Sequence, residues 1–166
     1  CRALNVSGTT YNLQNHVSNG TNCFTVTAPN IILDCNDYNV TYGTSGSGVG
    51  IYNNNNDNFT IQNCQIDPGA SASYGINIPN QISNFTLRDS AVEAGASIGV
   101  VIVVSEDLTI TGNSFYRFAP SNSDLLDIQG GTIGAVITSN TFQTTNGPGV
   151  YGEGISYSDT APSHML

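Results

Sequence analysis

The chain has 166 residues, a formal net charge of −9, three basic residues and no lysine. Nucleic acids and anionic membrane surfaces both require clustered positive charge, so this composition argues against either as a partner. A chain of this length fits one domain, and no apolar run approaches the roughly 18 residues that a membrane-spanning helix needs.

A short strand pattern recurs along the chain, most clearly in residues 57–66 and 83–92. The central aliphatic anchors of its copies are Leu33, Ile61, Leu87, Ile110 and Ile137, and subtraction of their numbers gives steps of 28, 26, 23 and 27 residues. Five positions after the anchors come further apolar residues, namely Tyr38, Ile66, Val92, Phe115 and Phe142. One short strand pattern per period of this length is typical of a solenoid.

A second strand precedes four of the anchors by about ten residues, in segments 50–52, 75–78, 99–102 and 127–128, and segment 154–157 looks like the same strand of a last, unfinished turn. Apolar and polar residues alternate along the strands, with Phe59 and Ile61 predicted inward and Thr60 and Gln62 outward. Strands this short satisfy their backbone by pairing with the equivalent strands of neighbouring turns. The pattern predicts an all-β parallel solenoid of about five to six turns.

The segments 21–26, 32–36, 50–52 and 58–64 resemble the right-handed parallel β-helix of pectin-lyase-like proteins. They are still more similar to the β-helical surface proteins predicted in archaeal and environmental genomes. The resemblance extends from about residue 21 to residue 157 and implies a right-handed, single-stranded parallel β-helix. Because this scaffold hosts lyases, hydrolases, adhesins and structural parts, the resemblance implies a fold and not one activity.

Four cysteines lie in the first part of the chain: Cys1, Cys23, Cys35 and Cys64. An even number in a sequence that otherwise looks extracellular favours two disulfides, for which three connectivities exist. Cys35 and Cys64 follow the anchors of neighbouring turns, so stacking should bring them within bonding range. We therefore prefer the pairs Cys35–Cys64 and Cys1–Cys23, which would clamp the first turns.

Five sequons of the form Asn-x-Ser/Thr begin at Asn5, Asn19, Asn39, Asn58 and Asn84. Asn58 and Asn84 occupy the same phase of consecutive turns, with Thr60 and Thr86 predicted to point outward. Two interpretations stay open for them: a column of N-linked glycans along one edge, or a ladder of amides that caps the turns. A separate inward ladder is expected at the bend after the anchors, from Asn36, Asn113 and Asn140.

Catalytic and metal-binding patterns are mostly missing from the sequence. Pectin-degrading hydrolases with this fold carry paired aspartates, Gly-His-Gly and Arg-x-Lys, whereas this chain has no such histidine and no lysine. Asp124 and Asp127 are weak candidates for an acid/base pair, with Arg88 and Arg117 as neighbours. We expect no catalytic set, no metal site and no cofactor, since no Cys-x-x-Cys is present and His16 and His164 lie far from the cysteines in the sequence.

The alternative to a structural protein is a β-helix that binds or degrades a surface polysaccharide. Four tyrosines could then serve as sugar platforms, namely Tyr42, Tyr52, Tyr74 and Tyr116. An ice-binding surface is less favoured, because a regular outward Thr-x-Thr ladder would be needed and the two such motifs, at 25–27 and 109–111, are too sparse.

The sequence shows no capping helix before Thr21, and it stops in mid-turn. We therefore expect the ends of the solenoid to pair head to tail with other copies, since a heterologous contact that does not close makes a filament. The prediction is one domain, with a disulfide-clamped turn in 1–29, repeating coils in 30–157 and a C-terminal extension in 158–166. Its expected function is that of a secreted, glycosylated, non-enzymatic subunit of an extracellular filament or cell-surface layer.

Overall fold

A computed structural model describes residues 1–95, 97–118, 123–130, 134–144 and 154–158 of the chain. The first coil is formed by residues of the predicted clamped turn 1–29, because three strands of that segment pair with strands of the next coil. Apart from Ser158, the predicted extension 158–166 lies outside the described residues.

The secondary structure in these ranges consists of strands. Their bounds are β1 Arg2–Leu4, β2 Thr10–Asn12, β3 Val17–Ser18, β4 Phe24–Val26, β5 Ile31–Asp34, β6 Asn39–Tyr42, β7 Gly48–Asn53, β8 Phe59–Gln62, β9 Gln65–Pro68, β10 Ala72–Arg88, β11 Ala91–Glu93, β12 Val100–Thr111, β13 Ser114–Arg117, β14 Leu126–Gln129, β15 Val136–Thr138, β16 Thr141–Thr144 and β17 Ile155–Ser158. No helix long and apolar enough to cross a membrane occurs in this part of the chain.

All strand pairs are parallel, and each strand pairs with the equivalent strands of the adjacent coils. Three ladders result. Ladder 1 contains β1, β4, β7, the first parts of β10 and β12, β14 and β17. Ladder 2 contains β2, β5, β8, the last parts of β10 and β12, and β15. Ladder 3 contains β16, β13, β11, β9, β6 and β3 in that order. The predicted all-β parallel solenoid is confirmed.

The core is a column of apolar side chains inside the three ladders. The predicted anchors stack in register, Leu33 against Ile61, Ile61 against Leu87 and Leu87 against Ile110, and all four are fully buried. The alternation of burial along β8, with Phe59 and Ile61 buried and Thr60 and Gln62 half-buried, follows the two-residue period of a strand. The apolar period therefore determines which residues meet.

One predicted register was wrong, at the corner between ladders 2 and 3 of the second coil. The residue that stacks on Ile66 is Val40 and not Tyr38. The corner that follows Asp34 has four residues, 35 to 38, whereas the corner that follows Gln62 in the next coil has two, 63 and 64. Counting a fixed five positions from the anchor therefore fails in this coil, and Tyr38 instead contacts His16 edge to face at 5.3 Å.

In the second and later coils, two corners have a left-handed backbone conformation. The corner before ladder 2 has positive φ at Gly8, Asn30, Asn58, Asn84, Asp107 and Gly134, and the corner after ladder 2 has it at Asn36, Asn63, Asp89, Gly112 and Ser139. Asparagine, aspartate and glycine tolerate this conformation best. This requirement gives a conformational reason for the asparagines at positions 58 and 84.

A buried ladder of polar side chains runs inside the second of these corners. Asn113 is 2% exposed, accepts a hydrogen bond from the Ser90 backbone N–H and donates to the Leu87 carbonyl and to Asn140 Oδ1. Asn140 in turn donates to the carbonyl of Ile110. These positions of the predicted inward ladder therefore lie where we expected them.

Asn36, the third predicted member of the inward ladder, is exposed instead. Its side chain donates to the carbonyl of Leu13 in the coil before it. The inward position in that coil is taken by Cys35, which is fully buried. The cause is again the longer corner, which moves the inward position one residue closer to the anchor.

Substitution Asn113→Ala should lower the free energy of unfolding by about 2–4 kcal/mol, because it leaves a buried N–H and a buried carbonyl without their partner. Urea denaturation followed by circular dichroism measures the change. Asn36→Gly is the matched control, since glycine tolerates the left-handed backbone at this position, and the change removes one exposed hydrogen bond and should cost less than about 1 kcal/mol. Equal losses for the two variants would contradict the buried ladder.

Candidate functional site

Two disulfides connect the first three coils. Cys1 bonds Cys23 with a Cα–Cα distance of 4.3 Å, and Cys35 bonds Cys64 with a Cα–Cα distance of 4.8 Å. These are the two pairs that the sequence favoured. Cys64 also donates its backbone N–H to the Ser90 hydroxyl. The second disulfide therefore continues, as a covalent bond, the inward column that Ser90 and the buried asparagines form in the later coils.

The predicted acid/base candidates lie at the start of β14. Asp127 is 7% exposed and its Oδ2 accepts a hydrogen bond of 2.6 Å from Gln129 Nε2. Asp124 precedes the strand and lies beside Arg117. Burial lowers the pKa of the Arg117 guanidinium, and the charge of Asp124 offsets part of that shift. The carboxyl groups thus have different surroundings, and their pairing as acid and base stays a prediction.

The two arginines expected near these aspartates have separate roles. Arg117 is 1% exposed and donates through Nη2 to the carbonyls of Ser97 and Asp124, both at 3.1 Å. It therefore ties two loops together. The expectation for Arg88 was wrong, because Arg88 lies in ladder 2 beside Gln62 and not in ladder 1 with Asp127.

A cluster of polar and aromatic side chains that the sequence analysis missed lies on the outer face of ladder 3. We call it the ladder 3 site and define it as Asn39, Asp67, Glu93, Tyr116 and Phe118. The register places Asp67, Glu93 and Tyr116 next to one another on successive strands. Asn39 Nδ2 donates to Asp67 Oδ2 at 2.6 Å. The Tyr116 and Phe118 rings lie 5.2 Å apart, and Phe118 is 60% exposed.

The proximity of the two carboxylates changes the ionisation of the site. Burial raises the pKa of Glu93, and the neighbouring Asp67 charge raises it further. Burial also raises the pKa of Tyr116, to about 12, with added contributions from the charges of Asp67 and Glu93 and from the hydrogen bond to Asp67. Glu93 therefore holds its proton more tightly than an ordinary glutamate, as a hydrogen-bond donor or general acid requires.

A signal for this cluster is present in the sequence. Asp67, Glu93 and Tyr116 each come directly after an apolar residue of the repeat, namely Ile66, Val92 and Phe115. Residues that share a phase must share a column in a solenoid. The two carboxylates could therefore have been placed together from the repeat alone.

The predicted tyrosine platforms have different environments. Tyr42 is fully buried, and burial raises the pKa of its hydroxyl, as do the charges of Glu93 and Asp67. The prediction of a sugar platform at Tyr42 was therefore wrong, because its side chain has the inward phase of β6. Tyr52, Tyr74 and Tyr116 are half-buried on outer faces.

The sequon asparagines differ in exposure and in their partners. Asn5, Asn58 and Asn84 are exposed, whereas Asn19 and Asn39 are half-buried. Asn84 Nδ2 donates to Asn58 Oδ1, and Asn58 Nδ2 donates to Asn30 Oδ1, both at 2.9 Å. The amide ladder that the sequence left open thus forms, and each donating amide nitrogen has a second hydrogen besides the one in the ladder.

No group of three or more histidine, cysteine, aspartate or glutamate side chains that could hold a metal ion occurs in the described ranges. A family model described as "Right handed beta helix region" matches residues 14–164 of the chain. No curated protein and no solved structure matches it.

Substitution Glu93→Gln should raise the melting temperature at pH 7 by a few degrees. A carboxyl group whose pKa is higher in the folded state loses stability once the pH rises through that pKa, and the amide does not ionise. The difference should disappear below about pH 4, where glutamate is protonated in both states. Thermal denaturation at pH 7 and pH 3 tests this, with the exposed Glu106→Gln as control. An unchanged or lower melting temperature at pH 7 would contradict the arrangement.

Proposed function

The chain belongs to the right-handed β-helix family, and from this premise we propose that it is a non-enzymatic structural protein of the extracellular space. In this proposal it is a subunit of a cell-surface filament or layer and adds to its neighbours head to tail. The partner is a second copy of the same chain. The observation that carries the proposal is the outer edge of the first coil, which pairs with no strand of the described residues and which we call the open edge.

The open edge is visible in the hydrogen bonds of β2. Ile32 donates its N–H to the Thr9 carbonyl, and Leu13 donates its N–H to the Asp34 carbonyl. Residues 9, 11 and 13 thus face the second coil, so Thr10 and Asn12 direct their backbone groups to the opposite side. In ladder 3 the Asn19 N–H donates to the Thr41 carbonyl, so the backbone groups of Ser18 likewise face away from the second coil.

Such an edge is a template for one more coil of the same shape. Backbone groups on an edge strand gain hydrogen bonds when another strand is added in register. A coil of a second copy presents equivalent strands with equivalent spacing, so the existing register would continue across the junction. A contact of this type is heterologous, and repetition of it builds a linear assembly.

The compartment that the proposal requires is supported by the disulfides. Disulfide bonds persist in oxidising environments and are rare in the cytosol. The low content of charged residues, 9% of the chain, fits a surface made of Asn, Thr, Ser and Gly instead. N-linked glycans belong to the same proposal, with Asn5 as the most favourable of the five sequons, because it is exposed and takes no part in the amide ladder of Asn58 and Asn84.

Asn12→Pro should abolish the assembly and leave the monomer folded. Proline removes the N–H that faces the open edge, while the bonds of β2 to the second coil use residues 9, 11 and 13. Sedimentation velocity and negative-stain microscopy should show concentration-dependent linear oligomers of the natural chain and monomers of the variant.

Asn12→Ala is the matched control, because it keeps the backbone N–H and should still assemble. Far-ultraviolet circular dichroism checks that both variants fold. The proposal fails if the natural chain stays a monomer at high concentration, or if Asn12→Pro assembles as well as Asn12→Ala does.

A second candidate function is favoured by the ladder 3 site. Exposed aromatic rings beside paired carboxylates are a common means of holding a sugar ring, with one apolar face and polar groups that fix its orientation. Because Asp67 and Glu93 are both acidic, the site suits a neutral saccharide better than an acidic one. The neighbouring carboxylates also have the composition of a glycosidase acid pair.

This second function predicts that neutral polysaccharides bind and that Phe118→Ala weakens their binding by about tenfold, equivalent to ~1.4 kcal/mol. Isothermal titration with neutral and acidic oligosaccharides measures the affinity, and a reducing-sugar assay tests for turnover. Tyr157→Ala, at an exposed ring on β17, is the control. Lack of binding by the natural chain would remove this candidate, and turnover would contradict the non-enzymatic proposal.

A further inference from the structure

The outer face of ladder 2 is a regular surface. Its six strands pair in continuous register from β2 to β15, and the irregularities of β10 occur earlier, between Ala72 and Tyr74 and between Ile78 and Ser83. One outward column consists of Thr10, Ile32, Thr60, Thr86, Thr109 and Val136, and the other of Asn12, Asp34, Gln62, Arg88, Thr111 and Thr138. The side chains of the first column are short and uncharged.

Apolar side chains are exposed on this face. Ile32 is 37% exposed and Val136 is 50% exposed, and both belong to the same outward column. The asparagine ladder runs along one edge, and the space between this ladder and the column of Ile32, Thr60 and Thr86 forms a shallow groove of about 360 Å³. A flat sheet face with protruding aliphatic groups suits another flat sheet face.

The only charges in the two columns are Asp34 and Arg88, two coils apart on either side of Gln62. Gln62 bridges them within the chain, because its Nε2 donates to Asp34 Oδ2 at 2.6 Å and its Oε1 accepts from Arg88 Nε at 3.1 Å. Arg88 is exposed. A guanidinium has five N–H donors, so Arg88 retains donors for a further carboxylate.

The position of these charges defines a symmetry. A two-fold axis that lies in the contact plane, parallel to the strands and level with Gln62, exchanges the second and fourth coils of two facing molecules. Asp34 of each copy then lies opposite Arg88 of the other, while Thr60 meets its own counterpart. Each copy therefore meets its partner through the same patch, as an isologous contact requires.

We propose that the outer face of ladder 2 is a lateral contact between two antiparallel copies of this chain. The inference deepens the proposed structural function and rests on it. Head-to-tail addition builds a filament, and this face joins neighbouring filaments into a bundle or layer. The overall charge of −9 opposes side-by-side packing. Arg88, which is the only exposed arginine on the described ladder faces outside the first coil, lies at this contact.

The size of the face sets the strength of the contact. Five overlapping strands spaced ~4.8 Å apart, each contributing roughly 13 Å of length, cover roughly 300 Å² on each copy. A standard stable complex buries about 800 Å² on each partner. The contact is therefore weak between free monomers and becomes effective when many copies are already aligned in a head-to-tail filament.

A cross-linking experiment tests the contact and its register. The structure describes no free cysteine, so Thr60→Cys introduces a single reactive thiol on the symmetry axis. A short bismaleimide, with a reach of about 10 Å like the spacing of packed sheets, should join two copies. Thr141→Cys, which is exposed on ladder 3, is the matched control. We expect the Thr60→Cys dimer to form at least fivefold faster.

The charge pair is tested on the Thr60→Cys background. Arg88→Glu should reduce the rate to that of the control, because Asp34 would then meet a second carboxylate, whereas Arg88→Lys should retain most of it. A mixture of Arg88→Glu with Asp34→Lys should restore cross-linking that neither shows alone. If Asp34→Lys does not fold, the comparison of Arg88→Glu with Arg88→Lys still tests the charge pair.

Equal rates for Thr60→Cys and Thr141→Cys would overturn the proposed contact, as would an Arg88→Glu variant that cross-links like the parent. These outcomes are distinguishable from failure of the head-to-tail proposal, because Asn12→Pro can be added to the Thr60→Cys chain. Because the lateral contact is weak between free monomers, the double variant should cross-link more slowly than Thr60→Cys alone but still faster than the Thr141→Cys control, which would show that the two contacts are separate.

Discussion

Backbone hydrogen bonds between successive coils are the constraint on which the rest of this structure depends. Strands of three or four residues cannot satisfy their N–H and C=O groups within one coil, so every coil requires the next one in register. Because that register is fixed, residues of the same phase stack ~4.8 Å apart along the axis. Each position in the coil is therefore a column, and its chemistry is repeated or modified from coil to coil.

Because residues of the same phase stack in columns, chemically different interactions occur at the same corner of successive coils. The inward corner column changes along the axis from a disulfide to a serine and then to asparagines. Each of these groups links a buried corner to the corner of the next coil, by a covalent bond or by hydrogen bonds. A disulfide ties two coils covalently, and the amide satisfies both a carbonyl and an N–H of its neighbours. The positive-φ corners select asparagine, aspartate and glycine by conformation. Function has to use the outward columns, because the inward ones are filled.

The stacking of the apolar anchors could be predicted from the sequence because the repeat period alone determines it. The period did not predict the positions of Val40 and Asn36 correctly, since the corner between β5 and β6 has two extra residues and a count from Leu33 cannot detect where a coil lengthens. Tyr42 has the same parity as Val40, so strand alternation places it inside. The Asp67 and Glu93 pair was predictable in position, but its raised proton affinity depends on burial, which only the fold supplies.

In the proposed assembly, the stack of coils continues from one copy to the next. Its most direct test is hydrogen–deuterium exchange of the segment around Thr10 and Asn12, compared between dilute and concentrated samples. Amides on an open edge exchange quickly, and pairing with another coil protects them. We expect exchange of these two amides to slow as concentration rises, while the core amides of β8 stay protected throughout. Equally fast exchange of Thr10 and Asn12 at every concentration would contradict it.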